Sequence, residues 1–285
     1  MRRLLCALAF VAAAGLARAD EPRTAPAVGT KLTYRLISVT KTPQKTVSVG
    51  QVYTYIPLSS DGTTAEGVIK PVAMIMPCDK GPGDLACEDS AKTPGAHYDG
   101  DMLTVPIADD SGAGLATHSY FKLVHFILVS RKFPIPASRD PKDYNLRDFG
   151  PDPAYMLINE QHCDLSGLED FLPFGKSPSI TLPCETMFTR SASRDGRLPE
   201  MIVKDTVSEE VSYLGRGWVT VPSGSWQVEK LTTTITPKDP SHPTSVNEIL
   251  FSTQLGAIVR SHTVGRNPIA PSTTESTVEL VSVGP

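Results

Sequence analysis

The chain has 285 residues, 40% of them hydrophobic and 20% charged, with 25 Pro and 21 Gly. That composition belongs to a folded globular protein and excludes a disordered or fibrous one. The formal charge of -4 comes with Lys and Arg scattered along the sequence, without the stripe that neutralises phosphates, so nucleic acid is not expected as a partner.

The first 19 residues read as a secretory signal peptide. Arg2 and Arg3 precede an apolar run from Leu4 to Leu16, and Ala17-Arg18-Ala19 closes it with small residues, so cleavage is expected before Asp20. The apolar run is too short to span a hydrocarbon core of ~30 Å, and no stretch of the body reaches the length of a transmembrane segment. Cys6 lies inside the apolar run and no Cys stands just after the cleavage site, so no lipid anchor is expected. Cleavage removes Arg2, Arg3 and Arg18, leaving 24 basic against 31 acidic residues and a charge of -7. The expected product is a periplasmic or secreted single domain over 20–285.

Of the five cysteines, four remain after cleavage: Cys78, Cys87, Cys163 and Cys184. An even number in an oxidising compartment implies disulfides. Three pairings exist. Gly81-Pro82-Gly83 turns the chain between Cys78 and Cys87, and a second Pro and Gly-containing loop lies between Cys163 and Cys184, so these two pairs are preferred. A metal site is the alternative, but the Cys-x-x-Cys spacing that zinc favours is missing, and no metal or cofactor is expected.

From Gly29 to Cys78 the residues alternate with a period of two. Leu32, Tyr34 and Leu36 interleave with Thr33 and Arg35, Val47 to Tyr55 repeats the pattern, Ser59-Ser60-Asp61-Gly62 is a turn, and Val68 to Met76 is a further strand. From Asp79 to about Glu200 the text is rich in Pro, Gly, Asp and Ser, and reads as an insertion. Within it Leu123 to Val129 predicts one buried strand, with a helix over Ala116 to Ser130 as the alternative. Ser166-Gly-Leu-Glu169 has the spacing of a capping box and predicts a short helix through Phe171, ended by Pro173. From Val211 strands return. Gly217 to Val221 and Trp226 to Lys230 flank Pro222-Ser223-Gly224-Ser225 as a hairpin, followed by Val246 to Phe251, Ala257 to His262, and Ser276 to Val283 with Val278 and Leu280 on one face.

Gly29-Thr-Lys-Leu-Thr-Tyr34, Val219-Thr-Val-Pro-Ser-Gly-Ser-Trp226 with Lys230, and Leu255-Gly-Ala-Ile-Val-Arg260 together resemble a group of exported bacterial β-rich proteins of unknown function. The likeness covers about a third of the chain. Ser223 stands where Ala is usual, and the insertion has no counterpart in the group. The resemblance implies a curved antiparallel sheet similar to the half-barrels that carry lipoproteins and lipids; it supplies no catalytic residues. The expected fold is therefore mainly β: a half-barrel-like curved antiparallel sheet from 29–78 and 211–283, overlaid by a long Pro/Gly-rich, disulfide-bonded insertion at about 79–200.

Chemistry has few handles. His97-Tyr-Asp99-Gly-Asp101 gathers three polar ligands, yet Gly and Asp are ordinary turn residues and a solvated loop is the simpler reading. In one strand His118 and His125 would face opposite sides, and His125 is expected as a satisfied core histidine. His162-Cys163 places an imidazole next to a sulfur, but neighbours in a strand point apart. Glu209-Glu210 and Asp109-Asp110 are read as solvated loop charge, not as a glycosidase pair. The sequence carries no Gly-x-Ser-x-Gly, phosphate loop or His-Glu-x-x-His. No catalytic residues are assigned.

Binding is the preferred function, with a hydrophobic small molecule or an envelope protein as partner. Candidate contacts are Trp218 and Trp226 around the hairpin tip, and Arg139, Tyr144 and Arg147 in a loop of mixed charge, since aromatics with Arg anchor interfaces. A hydrolytic enzyme using the His97 to Asp101 loop or His162 is one alternative, and a structural envelope interaction protein the other.

Overall fold

The period-two text of the opening third becomes three long strands in the computed structural model, which describes residues 22–78, 85–107, 119–134, 156–190, 201–269 and 271–285. They are β1 (Lys31–Lys41), β2 (Thr46–Ser60) and β3 (Thr64–Pro77). Next come α1 (Leu85–Ala91), β4 (His97–Asp99), β5 (Met102–Pro106), β6 (Ser119–Val124), β7 (Ile127–Pro134), β8 (Met156–Cys163), α2 (Leu168–Phe171) and β9 (Ser179–Arg190). The last third adds β10 (Met201–Val221), β11 (Gly224–Pro237), β12 (Thr244–Ser252), β13 (Ala257–Asn267) and β14 (Ser272–Gly284). The signal peptide, Gly81-Pro82-Gly83, Asp109-Asp110, His118 and the loop carrying Arg139, Tyr144 and Arg147 lie outside the described residues.

The fourteen strands among the described residues belong to one antiparallel sheet in the order β2-β1-β14-β13-β12-β11-β10-β9-β8-β7-β6-β3-β5-β4. β3 has β2 along one edge, and β5 and β6 along the other. This corrects the expected half-barrel-like curved sheet under a separate insertion. β4 to β9, six of the fourteen strands, come from the segment read as a cover, and they are members of the sheet itself. Turn-rich text hid them, because Pro and Gly between short apolar runs look alike whether they join strands or fill a loop.

The single strand expected over Leu123 to Val129 is instead a tight hairpin. His125 adopts φ 53 and reverses the chain between β6 and β7, which bulge at Lys122/Leu123. The helix alternative is excluded as well. α2 forms where the capping box predicts it, but its N-cap is Gly167 and no side chain caps it; Asp164 Oδ1 accepts the Ser166 N–H at 3.0 Å just upstream. The 222–225 hairpin is as expected, with Pro222 and Ser223 between β10 and β11, although β10 begins ten residues earlier than its clearest text.

Both preferred disulfides are present, Cys78–Cys87 and Cys163–Cys184. The second joins directly paired residues of β8 and β9. Apolar side chains gather in a core around Phe126, Phe171, Leu182, Leu231 and Phe251, with Phe174 packed against it. Phe126, at the β6/β7 turn, meets the ring of Phe251 in β12 at 6.0 Å and that of Phe174 at 5.6 Å. A second cluster joins Leu32, Tyr34, Val228, Val259 and Leu280. Burial of each such side chain is worth roughly 1.5–3 kcal/mol, which makes these clusters the main stabilising term.

Candidate functional site

The register of β1 against β2 builds one wall of a cavity. Leu32 pairs with Tyr55, Tyr34 with Tyr53 and Leu36 with Gln51, and paired residues share a face. On the other side of β1, Tyr34 pairs with Leu280 and Leu36 with Val278. Phe126 and Leu128 approach from the β6/β7 hairpin, and Ile258 and Ser261 from β13. The space they bound measures about 240 Å³ and its lining is mostly apolar.

Three tyrosines, with Gln51 and Ser261, give the cavity its polar groups. Tyr34 stacks on Tyr53 with ring centroids 5.5 Å apart, and its hydroxyl donates to the Ile258 carbonyl at 2.9 Å. Burial pushes the Tyr34 hydroxyl far above the ordinary phenol range, with Tyr53 adding to the shift. Tyr55 stacks on Phe121 and is raised by burial first, then by Tyr34 and Tyr53. Its hydroxyl is buried without a hydrogen-bond partner among the described residues. The Tyr34 and Tyr55 phenols are therefore neutral at ordinary pH, and the cavity takes no charge from them.

The tryptophans do not line it. Val219 pairs with Trp226, so Trp218 is on the opposite face from Trp226. Trp218 is 71% exposed, while Trp226 packs on the second cluster with Nε1 donating to Ser223 Oγ at 3.0 Å. Neither side chain is among the residues that line the cavity.

The catalytic alternatives are scattered. His97, Asp99 and Asp101 are exposed at the sheet end, where Asp99 meets Arg35 at 3.5 Å. Cys163 is in a disulfide, so His162 has no free thiol beside it. His125 is half-buried at a turn, bonded to Thr24 Oγ1 at 2.8 Å, and burial lowers its pKa. It is satisfied, as expected, but by a hairpin position and not a strand interior.

Two polar pairs escaped the sequence. Glu209 is in β10, buried, while its neighbour Glu210 is exposed, which overturns the reading of both as solvated loop charge. Adjacent strand residues alternate faces, and reading 201–210 as a strand was the signal that would have separated them. His242 Nδ1 and Asp205 Oδ2 lie 2.7 Å apart; their separation of 37 residues leaves no local pattern to find. The sulfurs of Cys163 and Cys184 and a Glu209 carboxylate oxygen all lie within 4.8 Å of one another, but sulfurs joined in a disulfide are not the thiolates that bind metal.

Three solved structures are similar to this chain. The hypothetical lipoprotein YmcC from Escherichia coli is 7% identical over 92% of both chains, with a TM-score of 0.37. An exported-type protein with a YmcC-like fold from Bacteroides fragilis is 8% identical over 92% of this chain and 99% of its own, at 0.37. A lipoprotein-type protein from Parabacteroides distasonis is 9% identical over 93% of this chain and all of its own, at 0.33. The expected likeness to exported β-rich proteins is thus found among solved structures, at a level that carries no ligand, partner or reaction to this chain. No family model matches the sequence, and no curated protein matches it.

Proposed function

We propose that this protein is an exported binding module whose cavity beneath β1 and β2 takes a small hydrophobic molecule. The signal-peptide text supports export to the periplasm or beyond. The cavity carries the binding reading. At about 240 Å³ it exceeds the ~150 Å³ that holds benzene in an apolar protein interior. It falls short of the roughly 300–1,000 Å³ typical of drug-sized ligands. The fitting ligand is a short acyl chain or a one- or two-ring molecule. Neutral tyrosines and apolar walls, with no Lys, Arg or His among the described lining residues, favour such a ligand over an anion, whose desolvation uncharged donors such as Gln51 and the Tyr55 hydroxyl would offset only in part.

1-Naphthol, a two-ring fluorophore, tests the reading. Saturable binding to the mature protein is expected, lost when Val278→Phe fills the cavity and retained in Trp218→Ala, which lies off it. No saturable binding to the wild type, or equal binding by the Val278→Phe variant, counts against a cavity ligand. In that case weight passes to an envelope protein partner.

A further inference from the structure

Glu209 is a buried carboxyl that the cavity does not use, and it lies beside a disulfide. Its paired neighbours are Leu182 in β9 and Ile235 in β11, both apolar. Gln161 in β8 is its hydrogen-bond partner, Nε2 donating to Oε2 at 2.8 Å. The same amide nitrogen lies 3.2 Å from Cys163 Sγ and 3.4 Å from Cys184 Sγ. One side chain therefore ties a buried carboxyl to both sulfurs of a disulfide.

The two sulfurs differ in access. Cys184 is 2% exposed and part of the core, whereas Cys163 is half-buried at the end of β8. An attacking thiolate reaches Cys163 first, and Cys184 is the sulfur that departs into a site with little water. A thiolate left in such surroundings is costly unless a proton is supplied.

We propose that Cys163–Cys184 is an exchangeable disulfide, reduced by an external dithiol, with Glu209 as proton donor to the departing Cys184 sulfur. A thiolate of the dithiol attacks Cys163 Sγ; the new S–S bond forms as the Cys163–Cys184 bond breaks, and the electron pair goes to Cys184 Sγ. The Glu209 carboxyl gives its proton to that sulfur. The second thiolate of the dithiol then closes its own disulfide and expels Cys163, which is protonated from solvent. The dithiol loses two electrons, the protein disulfide gains them, and Glu209 recovers its proton from water.

Burial raises the Glu209 pKa, and the Gln161 hydrogen bond opposes that only in part, so the acid form persists above the ordinary carboxyl range. The groups nearest it add no charge. Leu182 and Cys184 of β9 and Thr233 and Ile235 of β11 surround it by register, Gln161 of β8 reaches it by its side chain, and Asp205, paired with His242, lies on the same face four residues back along β10. α2, packed on β9, turns Leu168 and Phe171 inward and leaves Glu169 and Asp170 exposed. His162 and Glu185 are exposed on the other face. Cys78–Cys87 has no comparable carboxyl or imidazole cluster among the described residues, and serves as an internal reference.

The test exposes the oxidised mature protein to dithiothreitol from about pH 5.5 to about pH 8.5, traps thiols by alkylation and reads each pair by mass spectrometry. Rates are divided by the thiolate concentration of the reagent. In the wild type the rate at Cys163–Cys184 is expected to fall by about tenfold or more as Glu209 ionises, the scale of general-acid catalysis. In Glu209→Gln the same rate is expected to be low at acid pH and flat, with Cys78–Cys87 unchanged. A flat wild-type profile, a Gln variant that follows the wild type, or a pair that stays oxidised in the folded protein overturns the proposal. The wild-type profile decides by itself if the variant does not fold.

Discussion

Arg216 holds Glu229 in a grip that the β10/β11 register prepares, since the two residues are directly paired. Glu229 is 3% exposed; Arg216 Nε lies 2.8 Å and Nη2 2.6 Å from its Oε1, while the Tyr213 hydroxyl donates to Oε2 at 2.8 Å. A buried carboxylate is tolerable because both oxygens are satisfied, one of them by two donors of a single guanidinium.

Removing the arginine leaves that charge with the tyrosine alone. Breaking a buried pair costs about 3–5 kcal/mol, and the solvent exposure of the Arg216 side chain moves the expectation for Arg216→Ala to the lower end or below, about 2–3 kcal/mol. Urea denaturation of the oxidised protein should show this as a lower midpoint at unchanged slope. Arg216→Ala combined with Glu229→Gln should recover part of the loss, because the charge is removed with its partner. A loss under about 0.5 kcal/mol for the single variant would mean that solvent replaces the guanidinium, and that Glu229 is wetter than its surroundings indicate.

Gly67 is a second point where the register leaves no freedom. It pairs with Phe121 in β6 and with Pro57 in β2, and the Phe121 ring, stacked on Tyr55, covers it. A Cβ here would run into the Ile56 carbonyl oxygen and approach the Phe121 ring to 2.7 Å. Backbone cannot yield as a flexible side chain does, so Gly67→Ala is expected to cost about 1–3 kcal/mol, the range for overpacking. Because Tyr55 lines the cavity, the same variant should weaken 1-naphthol binding. Unchanged thermal stability would show that β2 and β3 separate at this point more easily than their pairing indicates.

The sequence made the outer thirds legible because their strands alternate over long runs. Leu32, Tyr34 and Leu36 are spaced two apart, and they do line one face; Val278 and Leu280 do the same in β14. The disulfides were legible from turn chemistry between the cysteines. The middle third was not, since β4 to β9 are mostly short and separated by Pro and Gly, and alternation over five or six residues is weak against that background. His125 shows the limit sharply. An apolar run on both sides of it hid a chain reversal at a non-glycine residue with positive φ, which few residues adopt.

The candidate site was less legible than the fold. Its walls depend on which residue of β1 faces which of β2 and β14, and register is a property of pairing that no single strand carries. Trp218 and Trp226 drew attention by size, but one residue of parity puts them on opposite faces and keeps both off the cavity. Glu209 was set aside as loop charge because two adjacent carboxylates look solvated until a strand separates them.

Glu209 also ties stability to pH, with a sign opposite to that of an ordinary salt-bridged carboxylate. Its folded-state pKa is raised above the reference value of 4.5 by burial, so between that value and the folded one the native protein holds a proton that the unfolded chain has released. Stability from this group is therefore fully present below about pH 4.5 and is lost as pH rises through the folded pKa. Glutamine cannot ionise, and its amide oxygen still accepts from Gln161. Glu209→Gln is expected to be more stable than the wild type at neutral and alkaline pH, with the advantage shrinking as the solution is acidified toward the reference value. Denaturation midpoints of both proteins across that range, with the disulfides kept oxidised, measure the difference directly. A gap that stays constant with pH would mean that the carboxyl is hydrated in the native state, and it would remove the buried acid from the exchange chemistry as well.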